Sequence, residues 1–251
     1  MVAQGDRRLP SSILWVVDES QFARWLREGT REEGDPIPAA TVVLVRETAS
    51  GVETLMLRKN SKLAFGGMWV FPGGRIDDAD REGAADLESA ARRAAVREAA
   101  EEADLVVDAG SLAWISHWVP PGLAPKRYAT WFFVAPAPEG AVTIDGGEIH
   151  DSAWMRPADA LERRDRSEIE LAPPTWVTLH YLAEFPSVGA LMQDARAVVP
   201  FHYETRITRG AEGMVALWRG DVAYGGDDPD VPGSRHRLWM LDGGWRLERT
   251  V

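Results

Sequence analysis

Ala40 to Arg46 reads ATVVLVR, β-branched and almost continuously apolar, the pattern of a strand buried on both faces. A turn over Thr48–Glu53 leads to a return strand beginning at Thr54–Leu57, and Trp69–Phe71 is a further short apolar run before Pro-Gly-Gly. Leu87 to Ala103, rich in alanine, arginine and glutamate, is the clearest helix of the chain. Three strand-like runs follow, Leu112–Val119, Arg127–Ala135 and Glu148–Met155. Pro157 then opens one helix and the double proline at 173–174 precedes another, Thr175–Phe185. Beyond Pro186, short runs at Phe201–Ile207, Met214–Trp218 and Arg237–Leu241 read as strands among glycines and prolines. Strands, helix, strands, helix and a β-rich tail predict an α/β (α+β) sandwich.

The first residues differ in character. Gln21–Glu28 suits two helical turns and Gly29–Asp35 a polar linker, so residues 1–37 read as an N-terminal extension, 38–186 as the main domain and 187–251 as an extension or small subdomain. The run ILWVV is too short for a secretory core and is followed at once by Asp18 and Glu19. No run reaches the length of a membrane span, so a soluble, cytoplasmic protein is expected.

Composition narrows the chemistry. The 251 residues carry a formal charge of −11, which argues against broad contact with nucleic acid or an anionic membrane. There is no cysteine, which excludes thiolate zinc sites and cysteine nucleophiles. Zinc-hydrolase histidine spacings and a Gly-x-Ser-x-Gly elbow are also missing.

The informative stretch is Phe71-Pro-Gly-Gly74, an acidic loop, and then Arg97-Glu-Ala-Ala-Glu-Glu-Ala-Asp-Leu105. At about 100° per residue, Glu98, Glu101 and Glu102 share one arc of the helix. Val96, Ala99, Ala100 and Ala103 form a small-residue face opposite, suited to packing on a sheet. Arg97 can pair with Glu101 at i+4, while Glu98 and Glu102 have no basic partner within the helix. Two readings stand on these residues alone: a solvated acidic face, or a seat for a hard divalent cation that would relieve the repulsion. The glycines add a turn where backbone can approach a ligand.

FPGG and REAAEEADL together resemble the Nudix box, G-x5-E-x7-R-E-U-x-E-E-x-G-U with U apolar. The resemblance implies a Nudix-like α/β/α sandwich with a mixed sheet, and hydrolysis of a nucleoside diphosphate linked to another moiety with Mg²⁺ or Mn²⁺. It implies metal ligation by Gly74, Glu98, Glu101 and Glu102, with Arg97 holding a glutamate and Glu98 or Glu101 acting on water. Gly74 to Arg97 spans 23 positions where the box has about 14 by its usual spacing, so the first box glutamate falls on Asp80 counting forward and on Ser89 counting back. Asp104 replaces the glycine before Leu105. The long loop GGRIDDAD and the later Arg127–Phe133 stretch resemble the branch that includes coenzyme A and acyl-CoA diphosphatases. ADP-ribose or nucleotide-sugar hydrolysis is the alternative, and a non-catalytic nucleotide-binding module another.

Further candidates come from position. Glu148, before a strand, is a candidate base from a later loop, or else a solvated turn residue. Lys126 and Arg127 are phosphate-contact candidates, or plain surface charges. Trp114 and Trp118 share a strand face by spacing, so Trp118 is a candidate for stacking on a base, with core packing the other account. His117 and His150 are near the expected site but are given no role. Residues after 186 are expected to shape the pocket or to form a homodimer surface.

Overall fold

The computed structural model describes residues 35–60, 66–122, 127–226 and 228–250. The helix expected at 21–28, Lys126 and most of the extension lie outside them.

Strands β1 (Ile37–Thr48) and β2 (Gly51–Lys59) form an antiparallel hairpin whose register runs from Val45 opposite Thr54 to Thr48 opposite Gly51. The turn is tighter than expected: Gly51, at φ +104°, takes a conformation that disfavours a side chain, so pairing continues almost to the loop tip. Short strands β3 (Trp69–Val70) and β4 (Gly73–Arg75) are followed by helices α1 (Asp78–Arg81) and α2 (Leu87–Ala103). Then come β5 (Ala113–Val119), β6 (Tyr128–Pro136), β7 (Ile149–Met155), α3 (Pro157–Asp165) and α4 (Pro173–Leu182).

These strands, together with β8 (Phe201–Glu204) from the tail, build one mixed sheet in the order β3-β2-β1-β6-β5-β8, with β4 on β1 and β7 on β2. β1 and β6 are parallel, their register running from Ile37 opposite Tyr128 to Val45 opposite Pro136. Alternation along β1 divides the core. Ala40, Val42 and Leu44 pack with α2, whereas Val43 and Val45 pack with α3, α4 and the tail. The result is an α/β/α sandwich.

On α2 the buried face is Ala91, Ala94, Ala95, Ala99 and Ala103, while Ala100 is exposed. The small-residue face is therefore displaced from the expected one, because it follows the i, i+4 row that meets the sheet rather than the side opposite the carboxylates.

The tail divides in two. Helix α5 (Val188–Ala197), which the strand-like reading of this region missed, packs on the large sheet, and its Val188 N–H donates to Glu47 at 2.7 Å. The run expected as a single strand at 201–207 breaks at Thr205. Its first part, β8 (Phe201–Glu204), adds to the large sheet parallel to β5. Its second part, β9 (Arg206–Arg209), begins a separate antiparallel sheet with β10 (Met214–Leu217), β11 (His236–Leu241) and β12 (Gly244–Arg249). Among the described residues no helix is long and apolar enough to cross a membrane.

Candidate active site

Helix α2 starts on Asp86, whose carboxylate accepts the Ser89 N–H at 2.8 Å, and it leans its alanines on β1. That packing sets its last turns beside the Pro72–Gly74 segment, where Val42 N–H bonds the Pro72 carbonyl and β4 pairs with β1.

Glu102 is 4% exposed. Its Oε2 accepts the Gly73 N–H at 2.9 Å, and its Oε1 accepts from Lys59 Nζ at 2.7 Å. Gly74 lies under Glu98, since a Cβ there would collide with the Glu98 carboxylate. The two carboxylates thus flank the backbone of the double glycine. Glu101, at one edge of the arc, is exposed.

Arg97 ties the group together. It donates to Glu98 Oε1 and Glu101 Oε2, each at 2.8 Å, to the Arg75 carbonyl at 3.0 Å and to Asp80 at 2.9 and 3.3 Å. Glu98, expected to have no basic partner in the helix, therefore shares Arg97 with Glu101.

Lys59 was not singled out by its place in the sequence. β2 and β7 shift register between Arg58 and Lys59, and Lys59 continues the face of Leu55 and Leu57 toward α2. Its Nζ also lies 3.6 Å from Glu148 Oε2. Glu148 is exposed, on a turn held by Asp145, which accepts its N–H at 3.0 Å, and by Asn60 N–H, which donates to the Glu148 carbonyl at 2.8 Å. Lys59 thus joins Glu102 to Glu148 across three segments remote in sequence.

The electrostatics mark this cluster. Burial, with Glu102 and Glu101 adding to it against Arg97, pushes the Glu98 carboxyl up to about 7. Burial also raises Glu102, despite Lys59 and the Gly73 N–H. Burial works against the charge on Lys59, but Glu102, Glu148 and Glu98 outweigh it and raise its pKa.

Among the described residues no three acidic or histidine side chains are gathered closely enough to hold a metal as they stand. The three carboxylates of the helix are instead engaged, Glu98 and Glu101 by Arg97 and Glu102 by Lys59. The donor set nevertheless fits a hard cation: carboxylate oxygens lie beside a bare glycine backbone, and burial has pushed one carboxyl up to about 7.

Arg127 is half-buried and its carbonyl accepts the Ile37 N–H at 2.7 Å. Trp118 is elsewhere. It is 3% exposed in the core on the far side of the sheet, stacked on Tyr203 at 3.8 Å and bonded through Nε1 to Ser116 Oγ at 3.0 Å. A register irregularity between Trp114 and Ser116 inserts one residue into β5, so Trp114 and Trp118 fall on opposite faces. The base-stacking expectation for Trp118 is corrected accordingly.

The family described as NUDIX domain matches residues 35–175. The chain belongs to the Nudix family. It is 30% identical over 146 residues to an acyl-coenzyme A diphosphatase NUDT19 of Gallus gallus, covering 55% of this chain and 38% of that protein. It is 25% identical over 134 residues to the same-named protein of Xenopus laevis, covering 50% and 34%. The match therefore spans less than two fifths of the length of either relative. A NUDIX hydrolase structure from Alicyclobacillus acidocaldarius superposes with a TM-score of 0.61 at 24% identity, over 64% of this chain and 97% of that one. That likeness shows the fold.

Proposed function

We propose that this chain hydrolyses the diphosphate bond of a nucleoside diphosphate derivative, with coenzyme A or an acyl-CoA as the leading substrate. The carrying observation is the pair Glu98 and Glu102 on either side of the Gly73–Gly74 backbone. The NUDT19 relatives, named as acyl-coenzyme A diphosphatases, support the choice of substrate.

In this reading Gly74, Glu98, Glu101 and Glu102 hold Mg²⁺ or Mn²⁺. Such an ion, when bound, neutralises phosphoryl charge and makes its water more acidic. Arg97 fixes the rotamers of Glu98 and Glu101 and is itself anchored by Asp80. Glu102 is oriented by Gly73 N–H and Lys59. Glu148, exposed and steered by Lys59, is the candidate to take the proton from the attacking water. Arg127 and its neighbour Lys126 are candidates to meet the substrate phosphates. The setting proposed is cytoplasmic.

Glu98→Gln and Glu102→Gln each keep side-chain volume and remove a carboxylate charge. Turnover of coenzyme A, an acyl-CoA or ADP-ribose with Mg²⁺ is expected to fall by orders of magnitude in both, with melting temperature little changed. Wild-type turnover in both variants would sink the mechanism. Preference for ADP-ribose over coenzyme A would move the substrate assignment and leave the mechanism standing.

A further inference from the structure

Strand β2 runs out into two residues that hold the same turn. Lys59 pairs with Ile149 in the β2–β7 ladder, and its Nζ reaches Glu102 at 2.7 Å and Glu148 at 3.6 Å. Asn60 follows directly. Its N–H donates to the Glu148 carbonyl at 2.8 Å and its Nδ2 to the Gly147 carbonyl at 3.2 Å. One dipeptide therefore holds the Glu148 main chain and, through Lys59, relates the Glu148 carboxylate to that of Glu102.

Asp145 closes the turn from inside. Its Oδ2 accepts the Glu148 N–H and its Oδ1 the Ile149 N–H, each at 3.0 Å. Gly146, at φ +70°, supplies the left-handed residue that lets the chain double back over that carboxylate. Burial works against the charge on Asp145, but the N–H groups of Glu148, Ile149 and Gly147 and the charge of Lys59 hold its carboxyl below the ordinary range. Ile149 is fully buried in the core beneath α2, which pins the far end of the turn. Glu148 thus has fixed partners for its amide and its carbonyl while its side chain is 65% exposed. Capped turns also occur away from active sites. This one differs in carrying an exposed carboxylate that shares an ammonium with the buried Glu102.

We infer that Asn60 and Asp145 are positioning residues of the hydrolysis, acting through Glu148 by fixing the main chain from which its carboxylate reaches the attacking water. The inference rests on the diphosphatase reading above, in which Glu148 takes the proton. In that step the water oxygen bonds to phosphorus as its proton passes to Glu148. The bridging P–O bond breaks, and its electron pair leaves on the departing phosphate. The base must stand within hydrogen-bond reach of that water. With the main chain held at amide and carbonyl, only the side-chain torsions of Glu148 stay free, and Lys59 biases those. A misplacement of about 1 Å is enough to slow such a step roughly a hundredfold.

Asn60→Ala and Asp145→Ala, each made in the wild-type protein and in Glu148→Gln, form double-mutant cycles that test this. Steady-state assays with Mg²⁺ give kcat and KM for coenzyme A and for ADP-ribose, and titration calorimetry reads Mn²⁺ binding. Single turnovers with enzyme in excess keep the slow Glu148→Gln background measurable. In the wild-type background each substitution is expected to lower kcat by roughly ten- to a hundredfold, with KM and Mn²⁺ affinity unchanged. In Glu148→Gln the same substitutions should cause no further loss, because the group they place is already gone. Asp145→Asn, which keeps one carbonyl acceptor, should recover part of the loss. Should Asp145→Ala fold poorly, Asn60→Ala and Asp145→Asn carry the test. An undiminished kcat in Asn60→Ala, a loss carried by KM or Mn²⁺ affinity instead, or an equal fold loss in both backgrounds would overturn the positioning role alone. Wild-type turnover in Glu148→Gln would remove Glu148 as the base and the positioning role with it. No turnover of either substrate by the wild-type protein would overturn the diphosphatase reading itself, and both roles with it.

Discussion

Asp80 shows how a single side chain settles a spacing that counting leaves open. It is 5% exposed, accepts twice from Arg97, and also accepts the Asp77 N–H at 2.9 Å. The forward count from Gly74 is therefore the structural one, and the extra residues fall between Asp80 and Arg97. Ser89, the backward choice, is occupied at the start of α2 with Asp86. Asp80→Ala would leave Arg97 short of its most buried acceptor. A loss of about 1–3 kcal/mol is expected, the range for a hydrogen bond to a charged group, read as a lower urea midpoint at unchanged slope. A wild-type midpoint would mean that Asp80 is dispensable to the Arg97 network. Lys59 belongs to the same scale and was illegible, because a lysine ending a strand looks like any solvated charge until the fold sets Glu102 against it.

At the scale of the element, the end of α2 is unusual. Asp104 has φ 56° and ψ 36°, and its N–H and that of Leu105 bond back to Ala100 and Ala99 in a Schellman-type closure. A left-handed conformation disfavours a residue with a Cβ by roughly 1 kcal/mol, and Asp tolerates it only because it is short and polar. Asp104→Gly should raise stability by about that amount in thermal or urea melts, with the carboxylates one turn earlier undisturbed. A destabilised variant would show that the Asp104 side chain does more than cap. β5 teaches the complementary lesson. Alternation is a sound rule for side-chain direction until one inserted residue reverses it, and a bulge leaves no mark in the hydrophobic pattern of so short a strand. Trp118 went to the core and His117 to the open face for that reason alone.

Across the whole molecule, the second sheet is held by a feature of its own. Asp221 and Arg237, with side chains 0% and 1% exposed, meet through paired bonds of 2.5 and 2.6 Å. Asp221 also accepts the N–H groups of His236 and Ala223, and Arg237 donates to the Pro229 carbonyl. Burial would raise the Asp221 pKa, but Arg237 and the two backbone donors prevail and hold it below the ordinary value of 3.8. A depressed folded-state value contributes stability above about pH 4 that is lost as pH falls through the lower, folded-state pKa. Acid should therefore weaken this sheet, and Asp221→Asn should flatten that pH dependence. Asp221→Ala, which strands a buried guanidinium, should cost about 3–5 kcal/mol. Hydrogen exchange resolved by segment would check both, with faster exchange expected in β9–β12. Exchange as slow as in the wild type would show that the pair contributes little.

The amino-acid sequence by itself determined the long helix, the side of it that carries the carboxylates and the apolar strands beneath, because i, i+3 and i+4 neighbours and alternating strand positions meet through local geometry. It also carried the family resemblance, through a motif confined to about thirty positions. Only the tertiary structure decided which carboxylates are buried, that Lys59 and the Gly73 N–H share Glu102, that Asp80 answers Arg97, and that the tail splits between two sheets. Each of those depends on segments brought together from far along the chain, where register shifts and packing, rather than neighbouring residues, choose the partner.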